Sequence, residues 1–542
     1  MSDGDAEVIV AGAGPVGLTL AIDLGRRGVR CTLIERNPTT APYPKMDRSN
    51  ARTMELYRRI GIVDRVRALG YPPENSMNVY LCSRLSDPPI AVLEYPSVAE
   101  RRRQIAESED GRWLLEPYQL VSQNKLEPLL KEVAEGTPNV TVRYGCELMD
   151  FEQDADGVTV AVRTVDGRDE TLRASYLVGC DGGSSRVRKK LGIKLDGRGR
   201  IRDLVQIIFK SDELYRRIRT GHGRHYNFVD AVGSTIIAQG CRTEFTLHSS
   251  LPPDTDFRPI IEDLIGFPCP FEILQVVPWR HNLLIADHYR DRRVFLAGDA
   301  IHLVIPSGGL GMNTGVGDAF DLAWKLAGTV DGWAGPALLD SYELERRPVA
   351  LFNRELCSDL VETTRRFGRL AAAGVSRAQL AGLLEQEVHH VDNLGVHFGQ
   401  RYNASPVIWP EAGEPPPWRW QAITASTWPG GRAPSVRLRN GTQLFDLLGP
   451  GYTIVDQSGR GLGDEFALAA DRRQVPLTHL VVDDDAVRAC WERDLVLVRP
   501  DHCVAWRGDQ PPAEVNEVID RIAGHRGISR RLSEVPRVCA QG

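Results

Sequence analysis

The apolar positions of this chain follow two rhythms that alternate along its length. Near the N-terminus, "AEVIVAG" is a short unbroken apolar run, as in a strand buried on both faces. "PVGLTLAIDLGRRG" repeats its apolar residues at helical spacing and stops at Gly28. "RCTLIER" is the next strand, closed by "NP". Together they predict a strand–helix–strand unit. Helical spacing returns over 45–70, where "ARTMELYRRIGI" carries an apolar stripe, and in "QNKLEPLLKEVAE", which ends before "GTPN". From about 140 to 180 the pattern turns to strands: "VTVRYG", "GVTVAVRT" and "ASYLVGCDG". Between 200 and 290 a two-residue period, as in "STIIAQG" and "TEFTLHS", with Gly and Pro punctuation, predicts an antiparallel sheet.

"RVFLAGDA" is a further buried strand. The helix after it repeats Val316, Phe320, Ala323, Trp324 and Ala327 at helical spacing, and "PALLDSYELERRPVALFNRELC" continues as a long helix. "PEAGEPPPW" reads as a linker. Beyond it, "TQLFDLLGPGYTIVDQS", "THLVVDDD", "DLVLVRPDHCVAWRG" and "AEVNEVIDRIAGH" alternate strand and helix, as in a separate small α/β domain. A length of 542 residues exceeds one core and predicts two to four domains.

Composition narrows the function classes. Apolar content of 42% and charged content of 25% are ordinary for a globular chain. A net charge of −6 supplies no basic excess for nucleic acid, and no apolar run is long enough to span a bilayer. The acidic start lacks the features of a signal peptide. Ten scattered cysteines, without a CxxC pair or a Cys/His cluster, point to a reducing cytoplasm and to no metal site.

Chemistry enters with "GAGPVG", whose Gly12, Gly14 and Gly17 follow a strand and open a helix. The glycines allow a tight turn, close approach of a pyrophosphate and close helix–strand packing. Glu35, at the end of the next strand, stands where a carboxylate binds a ribose hydroxyl. This motif predicts a dinucleotide site and leaves NAD and FAD open. Two later segments choose between them. "YLVGCDGGSSRVRKKLGI" holds Asp181, Gly182, Ser185 and Arg188, and "VFLAGDAIHLVIPSGGLGMNTG" holds Gly298, Asp299, Pro306, Gly309, Gly311 and Asn313. With GAGPVG, they resemble the three fingerprints of the flavin-dependent aromatic hydroxylases, the para-hydroxybenzoate hydroxylase and phenol hydroxylase family, in the family's order over residues 5 to 400.

The resemblance implies an α/β fold class. A Rossmann-type FAD-binding domain (1–80, 115–195 and 285–400) would carry an inserted sheet domain for substrate (81–114 and 196–284). A thioredoxin-like domain (415–542) would follow; its "LVLVRPDHCVAWRG" resembles the family's extension. Cys490 and Cys503 have twelve residues between them and form no redox pair, so a structural or dimer-contact role is expected there. The implied reaction is NAD(P)H-driven hydroxylation of a phenolic or polyketide-type aromatic ring by dioxygen, through a flavin hydroperoxide. Baeyer–Villiger oxidation, epoxidation and oxidative decarboxylation remain open on the same scaffold, as does a non-catalytic FAD-binding redox sensor. Possible partners are the aromatic substrate, dioxygen and a second copy of the chain.

Residue by residue, the resemblance implies that Gly12, Gly14, Pro15, Val16, Gly17, Glu35 and Arg36 hold the ADP half of FAD. Lys45 stands where many members have an arginine near the pyrophosphate, and Gln123 where they have a glutamine beside the flavin. Asp181 is associated with flavin or nicotinamide binding and Asp299 with the ribityl chain. Pro306, Gly309, Gly311, Met312 and Asn313 would surround the flavin ring, with the following helix pointing its positive end at the pyrimidine side. Asp47, in "KMDRSNARTMEL", resembles an aspartate facing substrate and flavin, where it would take a phenolic proton; it could equally cap the helix that follows. His225 and Tyr226 are the next candidates for contact with a phenolic oxygen, and Pro306 for a catalytic position beside the flavin.

Overall fold

The computed structural model describes residues 6–526, apart from 109–113, 231, 241, 307, 377, 381, 383–393 and 421. The first motif lies in a six-stranded sheet. Its order is Arg290–Asp291, Val294–Leu296, Tyr176–Gly179, Val8–Ala11, Cys31–Glu35 and Val140–Tyr144, parallel except at the first pair. Val8–Ala11 is fully buried, as its unbroken apolar run requires. The helices Pro15–Arg26, Gln123–Glu135 and Gly311–Val330 bury their apolar stripes in the same core. A three-stranded antiparallel sheet, Cys146–Gln153, Val158–Thr164 and Asp169–Ala174, is appended.

The second large sheet has eight strands. Its order is His302–Leu303, Glu272–Ala286, Leu195–Lys210, Glu244–Ser249, Thr235–Ala238, His225–Phe228, Val79–Cys82 and Ala91–Leu93. It departs from the expected all-antiparallel form in one place: Val79–Cys82 runs parallel to His225–Phe228. A local two-residue period reports which face a residue takes and is silent on strand direction. The sheet also takes in Val79 and His302–Leu303, outside the expected limits of its domain.

The region expected as one helical stretch over 45–70 splits into Ala51–Arg59 and Val63–Leu69. The long helix runs Pro336–Ala372. The proline-rich linker lies against it: Trp418 packs edge-on to Phe352 at 5.2 Å. The C-terminal domain is a four-stranded sheet, Leu477–Val481, Tyr452–Asp456, Leu495–Val498 and Val504–Gly508, one parallel pair followed by two antiparallel ones. Cys490 and Cys503 are both buried, and burial pushes the Cys503 thiol well up.

Candidate active site

One continuous cavity of about 1660 Å³ runs from GAGPVG to the face of the eight-stranded sheet. A single drug-sized ligand occupies roughly 300–1,000 Å³, so a long cofactor and a second molecule have room together. At one end the helix Pro15–Arg26 opens onto the cavity behind Gly14, whose side without a Cβ faces space empty of protein for 4 Å. Gly12, at φ +108°, turns the chain here. Gly17 does not line the cavity; a Cβ there would sit 1.9 Å from the Gly12 carbonyl oxygen, so its role is packing helix on strand. Glu35 accepts the Ala13 N–H at 2.9 Å and the Asn37 N–H at 2.9 Å. With the Asn37 side-chain amide, which donates to Oε1 at 2.6 Å, those bonds fix the carboxylate at the cavity wall and leave a lone pair of Oε2 for a hydroxyl. Free helix N–H groups, Arg36 and Lys45 make this end a cradle for a pyrophosphate. Gln123 is held by the Lys45 N–H at 2.9 Å and bonds Glu127 at 2.5 Å.

The third segment lines the middle of the cavity with Asp299, Pro306, Gly309, Gly311, Met312 and Asn313. Asp299 is set deep in the molecule with its side chain open to the cavity. Burial raises its carboxyl above the ordinary range, against the pull of His302 and Lys45. His302 is turned into the core, where its Nε2 meets Asp318 at 2.8 Å and Arg346 holds the other Asp318 oxygen at 2.8 Å. The side chain of Asn313 acts as a staple. Its oxygen accepts the Asn50 N–H at 2.8 Å and the Thr53 hydroxyl at 2.7 Å, and its amide donates to Arg48 O at 3.0 Å and Gly309 O at 2.6 Å. With its side chain spent, Asn313 has its backbone alone to offer a ligand.

The sheet end carries the acid–base groups. Asp47 is bridged by Arg224, Nε to Oδ2 at 3.1 Å and Nη2 to Oδ1 at 3.2 Å. Burial alone would push the Asp47 carboxyl up, but the Arg224 charge and hydrogen bond, with Arg48, hold it below the usual range. It does not cap the helix that follows: Asn50 does, accepting the Thr53 N–H at 2.8 Å. His225 Nε2 lies 3.7 Å from Asp47 Oδ2, beyond hydrogen-bond distance, and has no other partner among the described residues. Burial, then Arg224, depresses the His225 pKa to about 3, so the ring is neutral near pH 7.

One expectation needs correction. Tyr226 does not face the cavity. It alternates with His225 into the core, stacks on Tyr80 at 5.6 Å and donates its hydroxyl to Gly221 O at 2.9 Å. Asp181 lines the cavity, but its Oδ2 accepts the Arg186 and Val187 N–H groups at 2.7 and 3.2 Å, so it also fixes its own loop. Sequence reasoning missed Arg224, Arg48, His248, Trp279 and His281, all on the cavity wall. Arg224 precedes the strand that begins at His225, so strand alternation does not govern where it points.

A family model described as "FAD binding domain" matches residues 5–353, and one described as "Aromatic-ring hydroxylase, C-terminal" matches 426–525. The FAD-dependent monooxygenase apdD of Emericella nidulans is 35% identical over 95% of this chain and 89% of that protein. Aklavinone 12-hydroxylase RdmE of Streptomyces purpurascens is 33% identical over 98% of this chain and 99% of that protein. The crystal structure of the flavin-dependent monooxygenase PieE with FAD and substrate superimposes with a TM-score of 0.88 at 30% identity, covering 96% of this chain and 100% of that one. Cavity, cradle and resemblance agree: this chain belongs to the FAD-dependent aromatic-ring hydroxylases, a family of flavoprotein monooxygenases.

Proposed function

We propose that the protein hydroxylates a polycyclic phenol, with NADH or NADPH as reductant and dioxygen as oxidant. The observation that carries this reading is the Asp47–Arg224–His225 group, set in the same cavity as the cofactor cradle. Gly12, Gly14, Glu35, Lys45 and Asp299 would hold FAD, which supplies electron transfer and oxygen activation when bound.

This chain's own residues prepare the substrate. Across the 3.7 Å gap, His225 Nε2 without a partner and a remaining lone pair on Asp47 Oδ2, beside its bond from Arg224, would meet one phenolic oxygen. The ionised carboxylate accepts the hydroxyl proton as negative charge grows on that oxygen, and Arg224 limits the build-up of charge.

The width of the cavity supports more than one ring. Trp279 and His281 lie on Glu272–Ala286 and His225 on His225–Phe228, four strand spacings apart, or roughly 19 Å at about 4.8 Å per spacing. His248 stands on the strand Glu244–Ser249 between them.

The test is oxidation of NADH and NADPH by the yellow holoprotein under ¹⁸O₂ with phenols of one to four rings. Stimulation by fused-ring phenols and one labelled oxygen on an intact ring support the reading. A labelled lactone or epoxide would replace hydroxylation with the corresponding chemistry. A flavinated protein that no phenol stimulates would be a redox sensor.

A further inference from the structure

The C-terminal domain reaches the active site through one buried carboxylate. Glu55 is fully buried on the helix Ala51–Arg59. Arg432, from the C-terminal domain, grips it with Nε at 3.0 Å from Oε1 and 3.1 Å from Oε2, and its Nη2 bonds Oε2 as well. The Arg432 guanidinium is itself fixed between the Phe398 and Phe445 rings, at 4.8 and 4.9 Å. His502, also from that domain, places Nδ1 at 3.4 Å from Glu55 Oε1 and Nε2 at 3.1 Å from Arg59. Since a guanidinium only donates, Nε2 accepts and Nδ1 carries the proton toward Glu55. Arg52 pairs with the same carboxylate and donates to Asp501 O at 2.6 Å.

The other end of this short helix is the staple. Asn50 and Thr53 both bond the Asn313 side chain, which bonds Arg48 and Gly309 in turn. Arg48 is the neighbour of Asp47 in the chain, and Gly309 lies in the loop assigned to the flavin ring. A helix of nine residues moves as a rigid rod at this scale. A shift of Glu55 is therefore a shift of Asn50, Asn313 and both segments they tie.

We infer that Arg432 and His502 of the C-terminal domain, acting through Glu55, are positioning residues that set the Gly309–Asn313 loop against the Asp47–Asn50 segment. The domain is a built-in brace for the reaction centre. This rests on the assignment of that loop to the flavin ring.

Hydrogen–deuterium exchange of the full chain, with and without FAD, tests brace and assignment separately. In Arg432→Gln, exchange at amides 309–314 is expected to rise about tenfold while the helix Pro15–Arg26 stays unchanged. Arg432→Lys, which keeps the charge and loses the fork, falls between. Thr53→Val weakens the link at its other end, where the Asn50 N–H bond to Asn313 remains, and raises the same amides by less; Thr53→Ser restores protection. The double variant Arg432→Gln/Thr53→Val shows less than the sum of the two single effects, because both act on one link. The visible circular dichroism of bound flavin changes in Arg432→Gln and partly recovers in Arg432→Lys. Unchanged exchange at 309–314, additive effects, or a uniform rise over the whole chain would overturn the brace. Should Arg432→Gln not fold, Arg432→Lys and Thr53→Val decide by the same criteria. Failure of FAD to protect 309–314 in the unmodified protein would overturn the loop assignment and the brace's part in the reaction with it.

Discussion

Two of the buried charged groups in this molecule are built on opposite principles. Where the C-terminal domain meets the FAD-binding domain, Arg499 bonds Glu345 at 2.7 and 2.8 Å, Asp321 at 3.1 Å and Asp501 at 2.7 Å. Lys325 closes the ring with Asp321 and Glu345, both at 2.7 Å. Three carboxyls face two cations. Burial pushes the Asp321 carboxyl well up, with Glu345 and Asp501 adding to that push against Lys325 and Arg499. In the cavity at the face of the eight-stranded sheet, by contrast, Asp47 and Arg224 pair while His225, Trp279 and His281 each keep a ring nitrogen without a partner among the described residues. The first group has nothing left to offer a ligand and is mechanical. The second is left unfinished at a cost of about 1–3 kcal/mol for each stranded group, which a substrate can recover.

The comparison can be broken at several points. The largest effect is expected at Arg499→Met, which strands buried carboxylates and should cost about 3–5 kcal/mol in chemical denaturation. Little loss there would mean that the interface is not mechanical. Asp47→Asn should slow hydroxylation by about 100-fold with FAD retained, the scale of one proton acceptor; unchanged turnover removes Asp47 from the chemistry. Asp299→Asn should weaken FAD retention by about tenfold in equilibrium dialysis, the scale of one charge-assisted hydrogen bond. His225 makes a pH prediction. The unfolded chain takes up a proton near pH 6.5 that the folded ring refuses down to about 3. Stability therefore falls as pH drops through that window, by up to about 1.4 kcal/mol per pH unit from this residue. In His225→Asn the slope of denaturation free energy between pH 6 and 5 should flatten by up to that amount. Tyr226→Phe is the smallest: about 1 kcal/mol of stability and no change in turnover.

What could be read from the sequence was local. GAGPVG, Glu35 and the Asp299–Asn313 segment each announce themselves within a few consecutive residues, because a nucleotide cradle is a strand, a turn and a helix in order. The strands and helices around them follow from apolar period alone. Relations between distant segments were not legible. Asp47 had two readings until Asn50 was seen to cap the helix and Arg224, 177 residues away, to bridge the carboxylate. Tyr226 beside His225 was one position off, since alternation sends neighbours to opposite faces. The Asn313 staple was invisible, because its glycine-rich surroundings pointed to backbone contacts and not to a busy side chain.

The grip of Arg432 on Glu55 spans 377 positions of chain. On a ribosome adding roughly 5–20 residues per second, Glu55 waits some 20–75 s for its partner to be made. Until then only Arg52, on the same helix, pairs with that fully buried carboxylate. Completion of the flavin-binding half is thus tied to the synthesis of Arg432. A chain that stops short of Arg432 carries all three fingerprints and lacks this grip.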